Sequence, residues 1–509
     1  MRHTTLSVLL VAAIGCTGGD ATLGESCGSH ADCDAAYQCI EDVCVNRCQR
    51  SPECGDGYSC DRDGICRLAK GQPGDTCQAE TDCGPGLSCQ IDGEALDSDG
   101  HLRASCTATG EGRPAGGDCF SDTDCRNGTC ALGHCVDLCE ETRDCASGNS
   151  CMDIPRIEKV LGAPFGGCLP ANGNIVWPIP AIAPSIAFML PIPSAATHAS
   201  LVFELDDSEQ RVGATRVTAQ SGSILYKRCE RADFLPCTKE DRDRQYYANA
   251  IRHAPERGLS VLAMPSNPDV PLETGVYYVS ASSFKPNGNL GTAIPKVTAI
   301  VRIDSGGSLD LHMHFLDLDD HPCQSAFNNA TLDAQSAQTE NYFKQDFLLE
   351  LRAIFNTSGI QFGAITYDNI KDHPDLDALD VTNAGALLSL GKYAKGVNVF
   401  FVRSLSPVGL QAFGPSPGPA GLAKTRKSGV VIGVDTLCYR SWKTVARLTA
   451  HEIARYMGLH HNVERDPRFR DPISDSNEAS TNLMFYSEVG GTELSAGQKK
   501  ILSKSPVLR

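Results

Sequence analysis

The chain has 509 residues, 41% hydrophobic and 21% charged, with 62 acidic against 45 basic side chains and a formal net charge of −17. A chain of this length holds about two to four domains with cores of their own. The acidic balance argues against a nucleic-acid partner, because phosphate binding needs basic surface.

Residues 1–15, within "MRHTTLSVLLVAAIGC", carry Arg2 and then an apolar run over 6–14. The run is too short to span a bilayer and reads as an export signal. It ends in Ala13-Ile14-Gly15-Cys16, which resembles a bacterial lipoprotein cleavage box, so Cys16 is the expected lipidation site. Residues 16–26 then form a short tether. No later segment is apolar enough to cross a membrane, so membrane association is expected only through that lipid. The chain is expected to be exported, on a bacterial outer membrane or cell surface, or secreted.

The cysteine content supports export. There are 25 cysteines, and setting Cys16 aside leaves an even number. Over residues 27–168 they repeat in five units of four. The units are Cys27, Cys33, Cys39, Cys44; then Cys48, Cys54, Cys60, Cys66; then Cys77, Cys83, Cys89, Cys106. The last two are Cys119, Cys125, Cys130, Cys135 and Cys139, Cys145, Cys151, Cys168. An acid precedes each second cysteine: Asp32, Glu53, Asp82, Asp124 and Asp144. Units this small have no hydrophobic core, so disulfides must hold them. Pairing within units is the economical arrangement, and four cysteines allow three connectivities. The spacing resembles Dickkopf N-terminal or EGF-like modules, which implies stalks or binding spacers.

Residues 170–200 are proline-rich and read as a linker running into extended structure. Short, often alternating apolar stretches follow, including "HASLVFELDD", "GVYYVSASS" and "KVTAIVRID", separated by Gly, Pro, Asn and Asp. They predict an all-β sandwich, placed at 172–308. It resembles the jelly-roll domains that accompany secreted bacterial peptidases. Cys229 and Cys237 are close enough to bridge one loop.

From 309 strands alternate with helices, which predicts an α/β or α+β domain over 309–509. "LDLHMHFLDL" is a strand that places His312 and His314 on one face, read as a polar strand face. "LDLDDHPC", with Asp317, Asp319 and Asp320, reads as a solvated acidic turn. "KTRKSG" reads as a short exposed loop. Cys323 and Cys438 are expected to tie the start of this domain to the region before its last long helix.

That helix carries "HEIARYMGLHH", residues 451–461. In HExxH, two histidines on one helix face chelate Zn²⁺ and the glutamate reaches its bound water. The longer HExxHxxGxxH form adds a glycine turn and a third histidine. Here His451, Glu452, Gly458 and His461 stand at the required offsets, and Arg455 replaces the second histidine. "NLMFY" follows at 482–486 and matches a methionine turn at Met484. Together these resemble the secreted bacterial metzincin-like zinc metalloproteases, over residues 309–509.

The resemblance implies a zincin-like domain that hydrolyses peptide bonds. It implies His451 and His461 as zinc ligands, Glu452 as the base and Met484 as the floor. Tyr486 is implied as an additional ligand, and His460 offers a further imidazole. Arg455 opposes this, since a guanidinium has no available lone pair. Two unit charges 4 Å apart repel by about 4 kcal/mol at an effective surface dielectric, and Zn²⁺ doubles that. Weak or absent zinc binding is expected, with Arg455 pairing with Glu452. The expected partner is a protein or peptide, as substrate or as ligand. The competing reading is a non-enzymatic surface adhesion or binding protein that uses the cysteine-rich modules and sandwich.

Overall fold

The computed structural model describes residues 22–509 except 23–24, 35–36, 41, 56–57, 61–63, 69–70, 157–161, 232–236, 317, 320, 322 and 328. The export signal and Cys16 lie outside the described residues, as do Asp317 and Asp320. A disulfide-bonded N-terminal region precedes a mostly β body with few helices. Among the described residues no helix is long and apolar enough to cross a membrane.

In every cysteine unit the first cysteine bonds the third and the second bonds the fourth. The pairs are Cys27–Cys39 and Cys33–Cys44, then Cys48–Cys60 and Cys54–Cys66, then Cys77–Cys89 and Cys83–Cys106. Cys119–Cys130, Cys125–Cys135, Cys139–Cys151 and Cys145–Cys168 complete the set. This density of disulfides marks an exported protein. The repeated acid has a structural role. Asp32 accepts from the Gly28 and Ser29 amides at 2.8 and 2.7 Å, closing the turn before the second cysteine. Glu53, Asp82, Asp124 and Asp144 accept equivalent amide hydrogen bonds.

The modules do not form a free stalk. Arg50, from the second, donates to the Cys145, Ala146 and Asn149 carbonyls of the fifth. Leu132, Leu138, Met152 and Phe165 share one apolar core with Ile175, Leu190 and Leu201 beyond the modules. A backbone that buries apolar side chains in the next domain cannot swing from it.

That next domain is two stacked antiparallel sheets. The strands are β1 (Gly173–Ile179), β2 (Ser185–Ile192), β3 (Ala196–Glu204), β4 (Arg211–Thr218) and β5 (Ile224–Lys227). They continue with β6 (Glu256–Arg257), β7 (Leu259–Met264), β8 (Gly275–Phe284) and β9 (Lys296–Ile303). One sheet runs β1-β9-β3-β7, the other β2-β8-β4-β5 with β6 on β4. The proline-rich stretch is therefore strand and not linker. Its two strands are both edges, where a missing N–H removes no ladder bond. Helix α1 (Lys239–Ala248), capped by Thr238, interrupts the strands after the Cys229–Cys237 disulfide.

The C-terminal domain holds β10 (Ser308–Leu316), β11 (Gln361–Ile370), β12 (Val397–Val402), β13 (Ala412–Phe413) and β14 (Val430–Gly433). The sheet order is β11-β10-β12-β14-β13, parallel except for the antiparallel edge β13. Helix α2 (Leu349–Asn356) and the long α3 (Trp442–Tyr456) pack against it, and α4 (Ala496–Leu502) closes the chain. Cys323–Cys438 ties the segment after β10 to the approach to α3.

The two β-rich domains are locked together. Arg302 of β9 is 1% exposed and donates to the Ser505, Leu508 and Gly306 carbonyls, gripping the C-terminal tail. The "KTRKSG" segment is not a free loop either. Arg426 donates to the Asp206 backbone carbonyl and Lys427 pairs with Glu256, so this segment is pinned to the sandwich.

Candidate functional site

Helix α3 starts with Ser441, whose side chain accepts from the Thr444 amide. Ala446, Ala450, Ile453 and Ala454 are fully buried in the domain core, which orients the remaining face. After α3, Gly458 sits at φ +112°, a conformation that favours glycine, and turns the chain back. His461 is thereby returned to His451, their ring centroids 5.2 Å apart.

Both imidazoles are held through Nδ1. His451 Nδ1 lies 2.8 Å from the Leu483 carbonyl oxygen, so it donates and carries the proton. His461 Nδ1 lies 3.1 Å from Glu464 Oε2. This leaves both Nε2 atoms as lone-pair donors, an orientation that metal-binding histidines share. Burial holds the His451 pKa well below its ordinary value, so the ring stays neutral.

Glu452 is 6% exposed, and its carboxylate meets Arg455 Nη1 at 3.4 Å. Burial raises the Glu452 pKa, and Arg455 opposes that rise. Gly414, just past β13, is a close neighbour, where a Cβ would lie 3.0 Å from Glu452 Oε2.

Met484 is fully buried, and the Asn482 side chain accepts its amide hydrogen at 2.8 Å. Its carbonyl accepts from Asn462, directly after His461, at 3.1 Å. The "NLMFY" turn is thus bonded to both histidines' surroundings, through Leu483 and Met484. Tyr486 is 41% exposed, and its ring contact is Phe485 at 4.7 Å.

Three further histidines lie apart from this pair. His460 points away, toward α1, with Nδ1 3.5 Å from the Tyr246 hydroxyl. His312 and His314 share a polar face of β10 that is buried. His312 stacks on Tyr393 at 3.7 Å and bonds Thr366 and the Lys395 carbonyl; His314 bonds Asn398 at 3.0 Å.

Two contributors escaped the sequence reading. Arg447, one turn before His451, is 5% exposed and donates to the Leu483, Phe485, Ser487, Glu488 and Gly491 carbonyls. It holds the methionine turn from beneath, and its helix position was the available signal. The other is α1, which arrives from the sandwich. Tyr247 stacks on Phe469 at 4.3 Å and Arg252 lies over both tyrosines. No local motif announces a wall supplied from another domain.

A hydrolytic zinc site takes three protein ligands plus an open position for water. The residues here supply two imidazoles, with a guanidinium at the third position paired to the would-be base. That donor set does not fit a three-ligand zinc.

No protein-family model matches this chain, and no curated protein matches it. A crystal structure of the protein YXIM from Bacillus subtilis aligns at 11% identity, with a TM-score of 0.12, over 42% of this chain. The alignment spans 45% of that protein, and likeness at this level carries no argument.

Proposed function

We propose that residues 309–509 form a metzincin-like domain that has lost peptide hydrolysis and that serves an exported, surface-held protein as a binding domain. The reading rests on the 3.4 Å ion pair of Arg455 with Glu452. The parallel sheet with one antiparallel edge, the long helix beneath it, the glycine turn and the buried Met484 support the zincin-like part. Hydrolysis needs a carboxylate free to take a proton from a metal-activated water. Here Arg455 occupies that carboxylate and supplies the positive charge that the metal would supply.

The retained geometry favours binding over loss of the site altogether. His451 and His461 keep oriented Nε2 acceptors, and Arg455 remains 27% exposed beside them. Acceptors and a cationic donor side by side suit the alternating polar groups of a peptide backbone.

The test is peptidase activity of the full native chain, after zinc loading, on a mixed peptide library. Absence of cleavage together with saturable peptide retention supports the proposal. Zinc-dependent cleavage by the native chain overturns it.

A further inference from the structure

Outside the C-terminal domain, four cysteine modules meet. A cavity of about 380 Å³ opens between the second, third, fourth and fifth modules, within the size range of small-ligand pockets. Its lining includes Glu80, Asp137 and Asp144, with Arg126 the one basic residue among them.

Each acid commits one oxygen to the framework and keeps the other. Glu80 Oε2 accepts from the Cys89 amide at 3.0 Å. Asp137 Oδ1 accepts from Asn127 Nδ2 at 2.9 Å, and Asp144 Oδ2 from the Glu140 and Glu141 amides. Asn127 also lines the cavity. It is 4% exposed and its Oδ1 has no hydrogen-bond partner. The lining thus sets three acidic side chains against the single guanidinium of Arg126, which biases the cavity toward a cationic group.

A bare metal ion does not suit it. Calcium draws oxygens to about 2.3–2.6 Å, so its ligands lie within roughly 5 Å of one another. Among the described residues no three carboxylates gather within 4.8 Å; the groups that do are cysteines already bonded as disulfides. The volume also exceeds what one ion fills. Tyr58, Pro52 and Leu87 add an apolar wall, which fits an alkyl stem.

We propose that this inter-module cavity binds an alkylammonium or guanidinium group, from a free amine or from a lysine or arginine side chain of a partner protein. Glu80 and Asp137 contact the cation, and the Tyr58–Leu87 wall covers the stem. Burial and the neighbouring Asp137 charge push Glu80 up to about 8, a repulsion that a bound cation relieves.

The test is calorimetric titration of the full chain with Nα-acetyl-lysine methylamide, Nα-acetyl-arginine methylamide, n-butylamine, the neutral norleucine analogue and calcium chloride. Saturable binding of a cationic probe, at least tenfold weaker in Glu80→Gln and Asp137→Asn, supports the site. Glu80→Gln keeps an oxygen for the Cys89 amide. Binding of n-butylamine alongside the amino-acid analogues indicates a free-amine ligand; binding of the analogues alone indicates a protein side chain. The proposal fails if the norleucine analogue binds equally, if no cationic probe saturates, if calcium binds instead, or if the variants bind like the native chain. Chemical-shift mapping on the native protein decides without substitution: shifts centred on Tyr58, Leu87 and Asn127 support the site, and shifts elsewhere overturn it.

Discussion

Arg455 and Glu452 lie three residues apart on one helix, and their side chains meet at 3.4 Å beside the His451 and His461 rings. In a zinc peptidase of this pattern that glutamate faces a metal-bound water. Here it faces a guanidinium on its own helix. On the proposed reading, positive charge is kept and the metal's chemistry is lost, because an arginine activates no water.

The pair also carries stability. Glu452→Gln leaves Arg455 without its anion, although the guanidinium can turn toward water, so the loss is modest. We expect about 1–2 kcal/mol, read as a Tm lower by a few degrees for the full chain. An unchanged Tm would show that the pair is incidental.

Arg447 is the larger structural commitment. Its buried guanidinium satisfies five carbonyls of the 483–491 turn, so Arg447→Met orphans several acceptors at once. A loss of about 3–5 kcal/mol is expected. Amide exchange at 483–491 should rise more than exchange in the sandwich strands.

Tyr247 and Phe469 join the sandwich to the loop that carries His461. Tyr247→Ala should weaken that docking by about 1–2 kcal/mol, from a lost aromatic pair and its buried area. Faster exchange over residues 459–471, with β10–β14 unchanged, is the expected signature.

Glu80 gives the chain a pH dependence of definite sign. Its folded-state pKa is raised from 4.5 to about 8, first by burial and then by Asp137. Between those values the folded carboxyl holds a proton that the unfolded one has released, so its contribution falls as pH rises through this window. Glu80→Gln should gain about 1–2 kcal/mol over the native chain at pH 8 and little at pH 4. Thermal melts at both pH values check it.

The sequence made the elements around the site readable because strong local signals write them. Alternating apolar runs mark β3, β8 and β9, and an apolar face with a serine cap marks α3. The four-cysteine period was visible, but the pairing was not, because three connectivities share one spacing. The proline-rich strands β1 and β2 read as a linker running into extended structure, because edge strands tolerate the residue that argues against strand. The packing of modules onto the sandwich and of α1 onto the His461 loop lies in contacts across long sequence distances, which no local pattern carries. At the site the offsets placed His451, Glu452, Arg455 and His461 together, while Arg447 and Tyr246 joined them only in three dimensions.

The most direct test of the central claim compares zinc binding by the native chain and by Arg455→His, each stripped of metal and titrated with Zn²⁺. If Arg455 stands in place of the metal, the native chain binds no stoichiometric zinc. The variant, with three imidazoles and a freed Glu452, then binds one equivalent at least a hundredfold more tightly. Stoichiometric zinc in the native chain at the affinity of the variant would contradict the account.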